Sequence, residues 1–469
     1  MSIERPINKI VNLFQQTFSE NPLYEKLAGG GSSRSYYRLS SGDRSVIGVY
    51  GSDIEENKCF ISLARLFKNE GINVPDVIAV NKDSDSYLLE DLGDTMLLSL
   101  LSEDSKMQFA EEAIKLIVKL HSIPKKRWIE KVVHPPFSER LVRWDLNYFK
   151  YDFLKPAGVV FNENDLEDDF EKLVDLIANP SGTTLGFMYR DFQSRNIMVK
   201  DNEVYFIDFQ GGREGPVIYD LVSFLWQAKA PFTHKERDTL TDLFITLTAE
   251  TRGIDESILK RQVKPMVLFR TLQVLGAYGL RGLIERKSHF LESIPLAIRN
   301  LKELKIEGFL KEFPQLSEIV SKLCEIYPMS TKTKNEKLTI TVGSFSFKKG
   351  YPLDTTGNGG GFVFDCRGLP NPGRYQEYKA FTGKDENVKE FLRDKKEVPD
   401  FINKCISLTE GTINNYLQRG FDSLQIWFGC TGGQHRSVFC AEETAKSLKL
   451  SYGNKINVII IHREQDINP

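Results

Sequence analysis

The segment that most constrains this chain is residues 189–209, where a polar loop, a short strand and an aspartate follow one another. The loop reads Tyr-Arg-Asp-Phe-Gln-Ser-Arg-Asn over residues 189–196, so Asp191 and Asn196 are five residues apart. Residues 203–207 have the character of a strand, and Asp208 follows directly. We expect this strand to return Asp208 to the side of Asn196, so that three polar side chains meet.

These three side chains fit the needs of phosphoryl transfer, which depends mainly on positioning and charge neutralisation. Asp191 is the candidate base that takes or orients the proton of an acceptor hydroxyl group. Asn196 and Asp208 are candidate Mg²⁺ ligands, because magnesium takes few protein ligands and keeps water and phosphate oxygens. Taken singly, Asp191 is explained equally well as the cap of a turn and Asp208 as the end of a strand. The order and spacing of all three favour a kinase.

The composition is that of a soluble globular protein without bulk affinity for polyanions. Among 469 residues, 62 lysines and arginines face 64 aspartates and glutamates, which leaves a formal charge of −2. This balance predicts no general attraction to nucleic acid or to an anionic membrane. No apolar run has the length of a membrane span, and residues 1–10 lack the core of a signal peptide. Six scattered cysteines without a Cys-x-x-Cys pair predict a reducing, cytoplasmic location.

Periodicity along the chain predicts two domains. Residues 1–327 read as a kinase-like α+β domain, with a strand-rich small lobe over about 1–93 and a helical large lobe over about 94–327. A polar, aperiodic stretch at residues 328–337 reads as a linker. Residues 338–469 alternate strands with helical segments at 385–418 and 436–449, a pattern typical of an α/β domain with a largely parallel sheet.

Two further segments of the first domain are candidates for nucleotide binding. A glycine-rich loop lies before a predicted strand, where its main-chain N–H groups can approach phosphates; its residues are Gly29, Gly30, Gly31, Ser32, Ser33 and the adjoining Arg34. A flexible hairpin tip explains the same glycines equally well. Glu90 and Leu92 lie in the segment expected to form the hinge between the lobes, whose main chain would meet adenine. A simple strand-to-helix turn is the alternative there.

Residues of about 20–325 resemble the aminoglycoside phosphotransferase and choline kinase-like superfamily, which is related to the protein kinases. Within it the chain is most similar to the anomeric kinases of cell-wall recycling, which phosphorylate N-acetylmuramate and N-acetylglucosamine at C1. The phrases that carry the resemblance are residues 33–39, 71–75, 88–93, 189–198 and 273–277. The resemblance implies an ATP- and Mg²⁺-dependent sugar kinase, with Asp191 as base and Asn196 and Asp208 as metal ligands.

The chain departs from that superfamily at the strand lysine that usually holds the α- and β-phosphates. Residues 46–50, Val-Ile-Gly-Val-Tyr, contain no lysine. Arg34, Arg38 and Lys58 are three candidate substitutes, and the sequence does not choose among them. A non-catalytic, ligand-sensing kinase module therefore stays open as an alternative.

The acceptor site is expected near residues 140–149, where related sugar kinases build the wall of the substrate pocket. Asp145 and Asn147 are the candidates for hydrogen bonds to a sugar, and Trp144 is a candidate for stacking on it. An amphipathic helix that packs its aromatic residues into the large lobe explains the same segment equally well.

The C-terminal domain contains a second glycine-rich loop, residues 429–437, directly after an apolar strand and before a helix. A helix N-terminus with free N–H groups is an anion site. Five residues separate Cys430 from Arg436, so the phosphatase pattern of a cysteine nucleophile is superficially matched. No acidic partner loop is identifiable, and phosphatase chemistry is therefore disfavoured.

Residues of about 338–465 closely resemble the C-terminal domain of the RNase adapter protein RapZ. Segments 344–350, 364–372, 429–437 and 461–463 carry the resemblance, although the N-terminal P-loop domain usual in that family is absent. The resemblance implies binding of glucosamine 6-phosphate and of regulatory RNA. Carried over, the phosphosugar pocket consists of Cys430, Thr431, Gly432, Gly433, His435 and Arg436, with Arg367 and Arg463 as helpers.

Two hypotheses follow for the whole chain. In the first, the kinase acts on an amino sugar and the C-terminal domain senses a phosphorylated amino sugar. In the second, the chain is a non-catalytic regulatory adapter that binds a phosphosugar and a protein or small RNA. Residues 338–469 hold 17 basic and 15 acidic residues, so their charge does not support RNA binding. The complete set of Asp191, Asn196 and Asp208 favours the first hypothesis.

Overall fold

The computed structural model describes residues 6–27, 34–103, 105–178, 184–230, 232–327, 337–352 and 361–465. The glycine-rich loop Gly29–Ser33 and most of the expected linker lie outside the described residues. Contacts divide the chain into two compact units, one formed by Met1–Ile284 with Ser293–Ile326 and the other by Glu285–Glu292 with Tyr327–Pro469. Within these described ranges, no helix has the length and apolar character needed to span a membrane.

The first unit begins with a five-stranded antiparallel sheet and two helices. The elements are α1 (Pro6–Phe18), β1 (Leu23–Lys26), β2 (Ser35–Ser41), β3 (Arg44–Tyr50), α2 (Ile54–Asn69), β4 (Val77–Val80) and β5 (Ser86–Glu90). The strand order is β1-β2-β3-β5-β4. Ile10, Leu13 and Phe14 form the apolar stripe of α1 and pack with Leu39 and Val46 of the sheet. The strand-rich small lobe predicted from the sequence is confirmed.

The chain from residue 97 to residue 326 is mostly helical. Its helices are α3 (Leu97–Leu100), α4 (Lys106–His121), α5 (Lys125–Trp128), α6 (Glu139–Tyr148), α7 (Glu163–Ala178), α8 (Ile218–Leu225), α9 (His234–Arg252), α10 (Glu256–Tyr278), α11 (Ser288–Leu291), α12 (Ile294–Ile306) and α13 (Pro314–Ile326). Two short antiparallel pairs interrupt them, β6 (Leu185–Met188) with β9 (Arg213–Pro216) and β7 (Ile197–Lys200) with β8 (Glu203–Phe206). These pairs carry the catalytic-loop candidates.

The chain that continues α6 approaches the C-terminal end of α10 at two glycines. A Cβ atom built at Gly276 would lie 2.8 Å from the main-chain nitrogen of Phe149, and one at Gly279 would overlap the carbonyl oxygen of Asp152. Only glycine permits main chains to come this close. The approach places α6, which carries Asp145, against the part of α10 that carries Gln273.

The second unit contains a four-stranded parallel sheet flanked by helices. Its elements are β10 (Leu338–Ser346), β11 (Gly361–Asp365), α14 (Glu386–Arg393), α15 (Glu397–Arg419), β12 (Ser423–Cys430), α16 (Arg436–Tyr452) and β13 (Ile456–His462). The strand order is β11-β12-β10-β13, and every neighbouring pair is parallel. The predicted α/β domain with a largely parallel sheet is confirmed.

The helical segment predicted at residues 385–418 consists of two helices rather than one. Val388 and Leu392 of α14 and Val398 and Ile402 of α15 all face the core. The six-residue step from Leu392 to Val398 breaks the helical period, so one continuous helix would turn the two pairs to different faces. The chain ends α14 at Arg393 and starts α15 at Glu397, and Pro399 lies in the first turn of α15, where proline is tolerated.

Candidate active site

The catalytic-loop candidates lie where β6, β7 and β8 meet. Asp191 follows β6, Asn196 ends a short 3₁₀ turn before β7, and Asp208 follows β8. The N–H of Ile207 donates to the carbonyl oxygen of Asn196 at 3.1 Å, so the β7–β8 hairpin returns the chain to the loop. Asp208 is therefore adjacent to Asn196 although eleven residues separate them in sequence.

Asn196 is fixed by the main chain around it. Its Nδ2 group donates to the carbonyl oxygen of Asp191 at 2.8 Å, and its N–H donates to the carbonyl oxygen of Gln193 at 2.8 Å. Because the Nδ2 group is engaged in this way, the Asn196 amide plane is set relative to Asp191. The residue is 8% exposed and lines a cavity together with Asp208.

Asp208 adopts a backbone conformation that is unusual for an aspartate. Its φ is +67°, in the left-handed region that favours glycine. Gln210 donates to Oδ1 of Asp208 at 2.7 Å and so holds the carboxylate. An amide oxygen and a carboxylate oxygen form a hard donor set that suits Mg²⁺. The two residues therefore fit the ion that their sequence spacing predicts.

Asp220 anchors the catalytic loop, and it is not among the residues predicted from the sequence. Its carboxylate is fully buried and accepts the main-chain N–H groups of Tyr189 at 2.7 Å and Arg190 at 2.9 Å. His121 Nε2 lies 2.9 Å from the same carboxylate. These bonds stabilise Arg190 at a φ of +77°. Asp220 is the one charged residue of the mostly apolar helix α8, and this was the available signal.

The cavity beside Asn196 and Asp208 has a volume of about 380 Å³ and extends to the predicted hinge. Glu90, Leu92 and Gly93 line it on one side, and Arg34, Tyr36 and Phe60 line it on another. Lys200 binds Glu90 at 2.7 Å and the carbonyl oxygen of Asp91 at 3.3 Å. The cavity thus joins the hinge segment to the candidate metal ligands.

The three candidate substitutes for the strand lysine have different surroundings. Arg34 is 5% exposed, lines the cavity and lies 3.6 Å from Glu56 of α2. Arg38 is held by Asp91 at 2.7 Å and Asp94 at 2.9 Å. Lys58 is exposed and pairs with Glu55 of its own helix at 3.0 Å.

The two acceptor candidates on α6 are not brought together. The half-buried Asp145 faces α10, where Gln273 Nε2 donates to it. Burial raises its pKa, against the opposing effect of Arg190, Arg270 and Arg213. Asn147 is exposed on the other side of α6, in an open groove that it shares with Trp144. Residues two apart on a helix point in nearly opposite directions, which explains the divergence.

The second glycine-rich loop connects β12 with α16. Cys430 is buried, with its Sγ 3.1 Å from Ser437 Oγ and accepting the N–H of Gly433 at 3.2 Å. Thr431 and Gly432 are exposed at the tip. Gly433 has a φ of +69°, and a Cβ atom there would overlap Glu464.

The basic side chains near this loop are engaged by the protein itself. His435 Nε2 lies 2.9 Å from the carbonyl oxygen of Tyr378, and Arg436 donates to the carbonyl oxygens of Arg367 and Leu369.

The two predicted helpers are engaged in the same way. Arg367 pairs with Asp365 at 2.7 Å. Arg463 donates to the carbonyl oxygen of Gly350 at 2.9 Å. In this arrangement the exposed members of the predicted pocket are Thr431, Gly432 and Arg367.

Comparisons with known proteins match each unit separately. A model described as the phosphotransferase enzyme family matches residues 24–254, and the RapZ C-terminal domain model matches residues 338–466. The first unit therefore contains a domain that matches the phosphotransferase enzyme family, and the second contains a RapZ C-terminal domain.

Curated relatives and a solved structure accompany these matches. A nucleotide-binding protein of Fervidobacterium nodosum is 36% identical over 199 residues, which are 39% of this chain and 67% of the relative. A nucleotide-binding protein of Clostridium acetobutylicum is 34% identical over 262 residues, 56% of this chain and 79% of the relative. The choline kinase of Cryptosporidium parvum aligns with a TM-score of 0.45 at 14% identity, over 63% of this chain and 93% of its own.

Replacing Asp220 by alanine tests the anchor. The variant leaves two main-chain N–H groups and His121 without their buried acceptor, so the free energy of unfolding should fall by about 2–4 kcal/mol. Urea denaturation followed by circular dichroism measures the change. The exposed Asp238 of α9 offers a matched control, since Asp238→Ala should change stability by less than about 0.5 kcal/mol. Equal effects of the two substitutions would contradict the anchoring role.

Proposed function

We propose that the first unit is an ATP- and Mg²⁺-dependent kinase that phosphorylates a hydroxyl group of an amino sugar. The observation that supports this best is the shared geometry of three residues: Asn196 is bonded to the main chain of Asp191, and it lines one cavity with Asp208. The cavity also reaches the hinge segment at Glu90 and Leu92. The match to the phosphotransferase enzyme family supports the same reaction type.

Each of the three residues has a role in the proposed reaction. Asp191 accepts or orients the proton of the acceptor hydroxyl group, which makes the oxygen a better nucleophile. Asn196 and Asp208 hold Mg²⁺ through an amide and a carboxylate oxygen. ATP supplies the phosphoryl group, and the bound ion neutralises negative charge on the phosphates. The hinge main chain and the loop at residues 29–33 are proposed to hold the nucleotide.

The amino-sugar class is proposed from the pairing of the two domains. The first unit resembles the anomeric kinases that act on C1 of N-acetylmuramate and N-acetylglucosamine, and the second carries a RapZ C-terminal domain. Both resemblances lead to amino-sugar metabolism, and we propose cell-wall recycling as the setting. The six cysteines are free thiols, which agrees with the cytoplasmic location proposed for such a pathway.

The kinase proposal is tested by ADP formation with ATP, Mg²⁺ and a panel of amino sugars. Sugar-dependent ADP release is expected from the full-length protein, and Asp191→Asn should reduce kcat by at least about 100-fold, because it removes the general base. Asp201 lies exposed in the β7–β8 turn, so Asp201→Asn should retain activity and serves as the control. Undiminished turnover by Asp191→Asn would contradict the proposed mechanism. If the wild-type protein turns over none of the sugars, the adapter alternative is favoured.

We further propose that Arg34 takes the place of the missing strand lysine. It is buried in the cavity and lies near Glu56, whereas the guanidinium of Arg38 is engaged by two aspartates and Lys58 is exposed. A pairing between a strand-side cation and an acidic residue of the following helix is also what positions the phosphates in protein kinases. Arginine offers several N–H donors to phosphate oxygens.

Arg34→Ala should lower kcat/KM for ATP by about 10- to 100-fold, because charge-assisted hydrogen bonds to the phosphates are lost. Steady-state kinetics at saturating sugar measure this effect. Lys58→Ala on α2 should leave kcat/KM for ATP within about 2-fold of the wild type, since the ion pair of Lys58 is with the exposed Glu55. A larger loss from Lys58→Ala than from Arg34→Ala would contradict the assignment.

The second unit is proposed to bind a phosphorylated amino sugar at the loop of residues 430–436. The support is the position of this loop between β12 and the N-terminus of α16, where main-chain N–H groups favour anions. Thr431 and Gly432 are exposed there and are the residues that a ligand would meet first. An RNA partner is the alternative, and the small basic excess of the domain gives it little support.

Calorimetry with glucosamine 6-phosphate tests this second site. Thr431→Val should weaken binding by about 10-fold, because it removes one hydroxyl donor from an exposed position without disturbing the core. The control is Thr412→Val on helix α15, which makes the same change far from the loop in sequence and should leave the affinity unchanged. Undiminished binding by Thr431→Val would exclude the hydroxyl group of Thr431 from the site.

A further inference from the structure

A buried arginine without a counter-ion lies beside the catalytic loop. Arg213 is the first residue of β9 and pairs across the sheet with Met188, the last residue of β6. It is 5% exposed, and its Nε atom is buried without a hydrogen-bond partner. No carboxylate of the described residues lies within 4.0 Å of its guanidinium. Buried charges are normally paired, so an unpaired Arg213 is suited to bind an anionic ligand.

Other arginines buried to a similar extent in this unit have partners within the chain. Arg237 is also 5% exposed and its Nε likewise has no hydrogen-bond partner, but its Nη2 binds Glu303 at 2.7 Å. Arg270 is 9% exposed, and its Nε donates to Ser223 Oγ at 2.9 Å. The isolation of Arg213 is therefore not a general property of buried arginines in this fold.

A second cation lies close to Arg213. Arg190 is half-buried in the catalytic loop, and its guanidinium takes part in no ion pair with any residue that the structure describes. Burial, followed by the field of Arg190, lowers the pKa of Arg213 to about 10. Two like charges in a partly desolvated place repel each other, and a bound anion would relieve that repulsion.

Charges of both signs act on this pair. Arg190, Arg213 and Arg270 act on Asp145, and Asp145 and Asp191 act in turn on Arg213. Burial, Arg213 and Arg190 lower the pKa of the neighbouring His134, which Glu56 and Asp53 oppose. Among the described residues, none of these carboxylates lies within ion-pair distance of Arg190 or Arg213.

The pair lies near Asp191 and outside the described lining of the cavity assigned to the nucleotide. The cavity assigned to the nucleotide is lined by Arg34, Asn196 and Asp208, and neither Arg190 nor Arg213 is among its described lining residues. A Cβ atom built at Gly211, two residues before Arg213, would lie 3.7 Å from Oδ2 of Asp191. The two cations are therefore near the carboxylate that is proposed to act on the acceptor hydroxyl group.

We propose that Arg190 and Arg213 bind an anionic group, a carboxylate or a phosphate, carried by the acceptor molecule. This inference rests on the proposed kinase function and narrows its acceptor from amino sugars in general to acidic ones. The planar guanidinium group matches both anions through paired N–H donors. N-acetylmuramate, which differs from N-acetylglucosamine by a lactic acid ether, is an acceptor of this class.

Kinetics with matched acceptors test the site. The acceptors are N-acetylmuramate, its methyl ester, N-acetylglucosamine and N-acetylglucosamine 6-phosphate. The wild type should prefer an anionic acceptor over its neutral counterpart by at least about 10-fold in kcat/KM, and Arg213→Gln should remove that preference. Whether the carboxylate or the phosphate is preferred identifies the anion. If Arg213→Gln lowers kcat/KM equally for neutral and anionic acceptors, the proposal is overturned, because Arg213 then acts on the transferred phosphoryl group rather than on the acceptor.

Thermal unfolding without ligand separates a ligand site from a structural role. Arg213→Gln removes a desolvated, unpaired charge, so its Tm should equal or exceed that of the wild type. Arg237→Gln is the matched control, because it breaks a buried ion pair and should lower Tm. A loss of Tm in Arg213→Gln as large as that in Arg237→Gln would overturn the proposal.

Ligand binding can be measured even if no sugar is phosphorylated. Calorimetry with N-acetylmuramate and with N-acetylglucosamine 6-phosphate is performed in the presence and absence of ADP and Mg²⁺. Binding that falls at least about 10-fold in Arg213→Gln supports the anion site even where the kinase proposal fails. Absence of wild-type binding to both ligands, or binding unchanged in Arg213→Gln, overturns the anion site.

Discussion

The buried carboxylate of Asp220 is the interaction on which the candidate active site depends. It accepts the main-chain N–H groups of Tyr189 and Arg190 and lies beside His121. A charged acceptor without contact to water stabilises these bonds, and removing it leaves buried donors unpaired. The loop can therefore hold Arg190 at a positive φ and present Asp191 in a defined direction. The residue proposed as the catalytic base, Asp191, follows directly after the two residues that Asp220 holds.

The anchored loop separates two regions of different character. On one side, Asn196 and Asp208 line a cavity that reaches the hinge segment and Arg34. On the other side, Arg190 and Arg213 lie near Asp145 and Asp191 and form no ion pair with any residue that the structure describes. Phosphoryl transfer needs a donor site and an acceptor site in line, with charge neutralised between them. The proposed nucleotide and acid-bearing acceptor occupy these two regions.

Local sequence patterns predicted much of the fold. The strand-rich small lobe, the helical large lobe and the largely parallel sheet follow from apolar periodicity, which neighbouring residues set. The spacing of Asp191, Asn196 and Asp208 was also readable, because a short hairpin joins them. The catalytic-loop spacing depends on contacts within about twenty residues, and each strand of the parallel sheet was recognisable from its own apolar residues although its partners are distant in sequence.

Features that depend on distant contacts were not predictable in this way. Asp220 is about thirty residues from the loop in sequence, so its contact with the loop is set by the fold. The lack of an ion pair at Arg213 is also set by the fold, because it depends on where distant carboxylates lie. Asp145 and Asn147 were grouped by their proximity in sequence, yet α6 turns them to different sides. The break between α14 and α15 comes just before Pro399, which has no N–H group with which to continue a helix from residue 395.

In the proposed reaction, a phosphoryl group is transferred from ATP to a sugar at the Asp191 loop. The most direct measurement is the mass spectrum of the sugar after incubation with the full-length protein, ATP and Mg²⁺, together with the amount of ADP formed. We expect one phosphorylated sugar molecule for each ADP. ADP formation without any phosphorylated sugar, or the same product yield from Asp191→Asn, would contradict the claim.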